Sequence, residues 1–188
     1  MTRWHPANGG AGETPAPTVK VRMGRNGDDM EFVPPFGLAR ARELMRYASD
    51  ISEKGLGLTS PNPIVGALFV NDAGDILAEG FHQGSDHAEV VALKNLKSNS
   101  ENLTAIITLE PCNHFGKTPP CSEALLKAGI KNLIFAVSDP NPIAQGGAEK
   151  LIMAGVKVLA GIEKEYVEKS NQDWLFRSEE HTSELQSH

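Results

Sequence analysis

The sequence predicts an α/β domain, a three-layer α/β/α sandwich on a mixed, mostly parallel sheet of about five strands. Three observations lead there. Apolar residues recur at helical spacing in the first well-patterned segment, two short apolar runs flank a turn-rich stretch as in a β-hairpin, and later apolar runs are separated by single helical segments. Strands joined through helices imply a largely parallel sheet covered on both faces, with the hairpin as its antiparallel exception.

Each element has its own local cause. Leu38, Ala41, Leu44 or Met45, Ala48 and Ile51 form one helical stripe, and Gly55 and Gly57 mark its end. Ile64–Val70 reads as a strand, Asn71 to Asp75 as a turn, and Ile76–His82 as the returning strand. A second helix begins near Asp86 and carries Val90, Val91, Leu93 and Leu96. Thr104–Leu109 and Leu133–Val137 read as strands, with a helix at Ser122–Ala128 closed by Gly129 between them. Gly147–Ala154, closed by Gly155, reads as a further helix and Val156–Leu159 as the last strand.

The 188 residues, 40% apolar, suffice for one compact core. Residues 1–35, rich in Gly, Pro and charge without periodicity, read as a disordered extension, with Met30 an alternative start. Residues 36–176 form the expected domain. The polar segment 177–188 resembles translated sequencing adapter and reads as an artefactual tail, which leaves open both a natural protein that continues beyond Phe176 and a single-domain one. Two cysteines are too few for a disulfide scaffold, and neither a secretory apolar stretch nor a membrane-length run is present. A cytoplasmic location is expected. The formal net charge of −6, without Lys/Arg clusters longer than a pair, speaks against nucleic acid as a partner.

In parallel sheets, ligands gather where strands end and the next helices begin. His87 and Glu89 open the second helix, Cys112 follows the strand ending at Leu109, and Cys121 precedes the next helix. Asp86 and Glu89 have capping-box spacing, which is one reading of Asp-His-Ala-Glu. The other is metal chemistry: one imidazole and two thiolates satisfy three positions of a tetrahedral zinc shell and leave the fourth for water. A closed structural zinc module, with His114 as fourth ligand, competes with an open catalytic site.

His87-Ala88-Glu89 with Pro111-Cys112 resembles the signature of the zinc-dependent cytidine deaminase-like superfamily. Its two cysteines are eight residues apart rather than two, and "NHFGKTPP" fills the interval. With Thr59–Ala67, Glu79–Glu89 and Asp139-Pro-Asn-Pro, this resembles the deaminase domain of bacterial riboflavin-biosynthesis deaminase/reductases. The resemblance implies one Zn2+ per chain held by His87, Cys112 and Cys121, with Glu89 as catalytic proton shuttle. It also implies a small-molecule substrate, a pyrimidine ribosylamino phosphate, contacted by Asn62, His82, His114, Lys117, Asp139 and Asn141. Homo-oligomers are compatible with such domains, and another base, nucleoside or tRNA deaminase is the nearest alternative.

Overall fold

The computed structural model describes residues 32–97, 102–114, 119–141, 144–172 and 174. The predicted extension up to residue 31, Lys117 and the 177–188 tail lie outside these residues. The chain runs α1 (Gly37–Ser52), β1 (Gly66–Val70), β2 (Ile76–Phe81), α2 (Ala88–Asn95), β3 (Thr104–Leu109), α3 (Cys121–Lys127), β4 (Asn132–Val137), α4 (Gly147–Met153), β5 (Lys157–Ala160) and α5 (Lys164–Ser170), with a short 3-10 turn after α1.

The five strands form one sheet in the order β2-β1-β3-β4-β5. β1 pairs antiparallel with both β2 and β3, whereas β3, β4 and β5 pair in parallel. Four strands therefore share one direction and β1 alone opposes them, which is how the expected mixed, mostly parallel sheet is realised. The reversal matters for function. The chain entering β1 reaches the same sheet edge as the chain leaving β2 and β3, and Gly66 N–H donates to Thr108 Oγ1 at 3.1 Å there.

Strict alternation divides the core into two layers. Leu68, Val70, Ile106 and Ile134 face α1 and α5, packing with Leu44, Met45, Ala48 and Val167. Phe69, Ile107, Leu133 and Phe135 face the other way and pack with Ala88, Ala92, Leu125 and Leu151 of α2, α3 and α4. Because both faces are covered, β1 and β4 are buried at every position, while the edge strands β2 and β5 are partly exposed. This is why the inner strands read as continuous apolar runs.

α2 lies directly on β2. A Cβ added at Gly80 would collide with the backbone of Ala88 and Ala92, so glycine lets the helix approach closely enough to set His87 and Glu89 beside the sheet edge. α5 was not anticipated from sequence. Its seven residues, KEYVEKS, bury only Val167 and leave almost no apolar period to read. Among the described residues, no helix is long and apolar enough to cross a membrane.

Candidate active site

The reversed β1 and the strand ends of β2, β3 and β4 bring His82, His87, Glu89, Cys112, Asp139 and Asn62 to one cavity of about 390 Å³. Its size lies within the usual range for small-molecule sites, about 300–1,000 Å³. His114 and Asn141 line it too, so all the predicted substrate-binding residues except Lys117, which is outside the described residues, share this cavity.

His87, at the N-cap of α2, makes no side-chain capping bond. The capping-box alternative is not formed: Asp86 pairs instead with Lys94 at 2.6 Å, and Glu89 is buried, 4% exposed. Cys112 sits three residues beyond Leu109, the last residue of β3, and Cys121 opens α3. The ligand atoms of His87, Cys112 and Cys121 lie within 4.8 Å of one another. His87 Nδ1 is 3.6 Å from Cys112 Sγ and 3.2 Å from Cys121 Sγ. Metal–sulfur bonds of about 2.3 Å and metal–nitrogen bonds of about 2.0 Å, arranged tetrahedrally, place neighbouring donors roughly 3.5–3.8 Å apart. The donor atoms thus have the chemistry of a zinc shell, and both nitrogen–sulfur separations match its spacing to within a few tenths of an ångström. Among the described residues no fourth His, Cys, Asp or Glu joins the group, and His114 stands outside it.

Electrostatics favour the same arrangement. The hydrogen bond from Cys121, together with that from His87, lowers the Cys112 thiol to about 4, against the opposing effect of burial. The backbone N–H of Cys121 adds a donor at 3.4 Å to Cys112 Sγ. Cys121 is pushed up, first because its S–H is engaged by Cys112 and then by burial. A dication held between the two sulfurs would relieve the repulsion between two thiolates. His87 is raised by its hydrogen bond to Cys112. Burial holds Glu89 above the usual carboxylate range, as a proton carrier requires.

The surrounding groups are held by short-range bonds. His82, 5% exposed, places Nδ1 3.1 Å from the carbonyl of Pro63; since the carbonyl only accepts, Nδ1 carries the proton. Burial lowers its pKa. Asp139 is raised by burial and accepts the Asn141 N–H at 2.9 Å, so it shapes its own loop while lining the cavity. His114 Nδ1 is buried without a hydrogen-bond partner among the described residues.

Two lining residues escaped the sequence reading. Glu110 Oε1 accepts N–H groups from Gly146 and Ala148, both at 3.2 Å. A Cβ on Gly147 would strike the carbonyl of Pro111, so this segment docks tightly on the turn that carries Cys112. Its signal was a charge between an apolar strand and Pro-Cys. Trp174 also lines the cavity; its rarity, as one of two tryptophans, was the available hint.

Fold and site together define a zinc-binding α/β/α domain with a polar cavity beside the metal-ligand group. Residues 39–137 match the cytidine and deoxycytidylate deaminase zinc-binding region, and the chain belongs to that family. Over 136 residues, 71% of this chain and 34% of the relative, it is 46% identical to the chloroplastic riboflavin biosynthesis protein PYRD of Zea mays. Over 137 residues, 71% of this chain and 38% of the relative, it is 42% identical to riboflavin biosynthesis protein RibD of Aquifex aeolicus. The chain thus spans about a third of the length of these curated relatives. A crystal structure of a diaminohydroxyphosphoribosylaminopyrimidine deaminase/5-amino-6-(5-phosphoribosylamino)uracil reductase from Thermotoga maritima superposes with a TM-score of 0.74 at 38% identity, covering 77% of this chain and 42% of that one.

Proposed function

We propose that this chain hydrolytically deaminates 2,5-diamino-6-(5-phosphoribosylamino)pyrimidin-4(3H)-one to 5-amino-6-(5-phosphoribosylamino)uracil and ammonia, a step of riboflavin biosynthesis. The arrangement that carries the reading is a buried carboxyl, Glu89, lining one cavity with His87 and Cys112 of the His-Cys-Cys group. The choice of substrate draws on the Thermotoga protein, whose described activity it is.

His87 Nδ1, Cys112 Sγ and Cys121 Sγ are the proposed zinc ligands. Zinc held there supplies a water whose pKa falls from about 15.7 towards about 7, a nucleophile near neutral pH. Glu89 is the proton carrier: it would take a proton from the attacking water, deliver it to the ring nitrogen next to the amino-bearing carbon, and assist protonation of the departing amine. The carbon gains oxygen, its bond to nitrogen breaks, and one water is consumed for each ammonia released. In this reading Asn62 orients the pyrimidine end, while His82, Asp139, Asn141, His114 and Lys117 serve the ribose phosphate. The eight-residue interval between the cysteines gives the cavity groups that a two-residue interval could not carry.

A cytoplasmic location fits two free cysteines serving as thiolate ligands. A small anionic pyrimidine as partner, without nucleic acid, fits the absence of a basic stripe in the sequence. The test is stoichiometry: the zinc-loaded chain incubated with the diaminopyrimidine in 18O-water, with product followed by mass spectrometry. One solvent oxygen in the product for each ammonia released is expected. Substrate recovered unchanged from fully zinc-loaded protein would overturn the proposal.

A further inference from the structure

The end of the chain's described region enters the site by a route the metal motif does not reveal. Trp174 lines the active-site cavity and also a neighbouring cavity of about 270 Å³. Asn62 and Pro63 are likewise shared by both. The indole and this turn therefore form a common wall between them. A wall residue matters only if it is held in place, and this one is.

The Asn171 side chain grips both backbone groups of Ile64: the Ile64 N–H donates to Asn171 Oδ1 at 3.0 Å, and Asn171 Nδ2 donates to the Ile64 carbonyl at 3.0 Å. Trp174 N–H in turn donates to the Asn171 carbonyl at 3.1 Å. Upstream, α5 is anchored by Val167, 2% exposed in the core, and by Tyr166 Oη donating to Asp50 at 2.8 Å. Glu163, just before α5, accepts from Arg42 at 3.4 Å and Arg46 at 2.7 Å. The backbone carrying Trp174 is thus tied to the same turn that carries Asn62.

We propose that Trp174 is a substrate-binding residue whose indole stacks on the planar pyrimidine ring of the substrate. The inference rests on the deaminase reading and adds to it the wall that recognises the ring rather than the phosphate. Stacking on an aromatic side chain is a sequence-tolerant, face-on contact available to any planar heterocycle. Amphipathic tryptophan supplies it where one edge of the ring must stay polar.

The experiment uses the zinc-loaded full chain in two arms. In the first, Trp4→Phe leaves Trp174 as the one tryptophan, Glu89→Gln blocks turnover, and indole emission is followed while the diaminopyrimidine substrate is added. A saturable change in emission is expected. In the second, Trp174→Ala and Trp174→Phe are assayed for ammonia release with zinc content checked. The alanine variant should raise KM about tenfold with kcat within about threefold, and phenylalanine should restore KM to within about threefold of the parent. Flat emission up to substrate concentrations that saturate turnover, or an alanine variant with unchanged KM, would overturn the inference. Should Trp174→Ala fail to fold, the emission arm, which keeps Trp174, decides alone. Saturable emission without ammonia release from the parent enzyme would sink the deaminase reading and leave the ring contact standing.

Discussion

Gly80→Ala separates the role of the scaffold from that of the site residues. The added Cβ would lie 2.6 Å from the Ala88 carbonyl and closer still to the Ala92 nitrogen, whereas ordinary contact starts at 3.4 Å. Both obstacles are backbone and the nearer one sets the displacement, so α2 as a whole must withdraw from β2 by about 1 Å, a shift of the size that costs on the order of a hundredfold in rate when it misplaces a reacting group. Overpacking of this kind costs about 1–3 kcal/mol, and the reduced freedom of the unfolded chain returns about 0.4–1 kcal/mol. The net expectation is about 1–2 kcal/mol of lost stability, with turnover lowered roughly a hundredfold because His87 and Glu89 ride on the first turn of α2. Urea unfolding measures the first and ammonia release per folded, zinc-loaded protein the second. A variant that loses the stability yet turns over within about threefold of the parent would refute the claim that this glycine contact positions the site.

Cys112→Ser removes a soft ligand from a three-ligand shell; zinc content by atomic absorption should fall well below one per chain, and full occupancy would exclude Cys112 as a ligand. Glu89→Gln keeps the metal group intact, so zinc content should stay at the parent value while kcat falls by about 10²–10⁴. Glu110→Ala leaves the Gly146 and Ala148 N–H groups without their carboxylate, a loss of about 1–3 kcal/mol in urea unfolding, most of which Glu110→Gln should recover because an amide oxygen can accept the same bonds.

Much of the fold was legible because burial on two faces leaves an unmistakable mark. Ala67 to Val70, Ala105 to Ile107 and Leu133 to Val137 are apolar runs because helices cover both sides of the sheet. The pairing of β1 with β3 was less legible, since nothing in an apolar run states which neighbour it meets or in which direction. α5 escaped because a seven-residue helix with a single core residue has no period to detect. In the site, His87, Cys112 and Cys121 could be grouped from sequence because few chemistries need that trio in that order. Asp86 and Glu89 matched a capping box equally well, and only burial of Glu89, with Asp86 turned to Lys94, removes that reading. Glu110 and Trp174 depended on contacts with residues far along the chain, Glu110 with Gly146 and Ala148 and Trp174 with the Asn62-Pro63 turn through Asn171. Such contacts have no local pattern.

The most direct measurement of the central claim is kcat/KM for ammonia release by the zinc-loaded chain, compared between the phosphorylated diaminopyrimidine, its dephosphorylated form and cytidine. Preference for the phosphorylated diaminopyrimidine is expected, by at least about a hundredfold over cytidine and by about tenfold or more over the dephosphorylated form, as loss of charge-assisted hydrogen bonds implies. Equal or better turnover of cytidine would contradict the substrate assignment while leaving the zinc site in place.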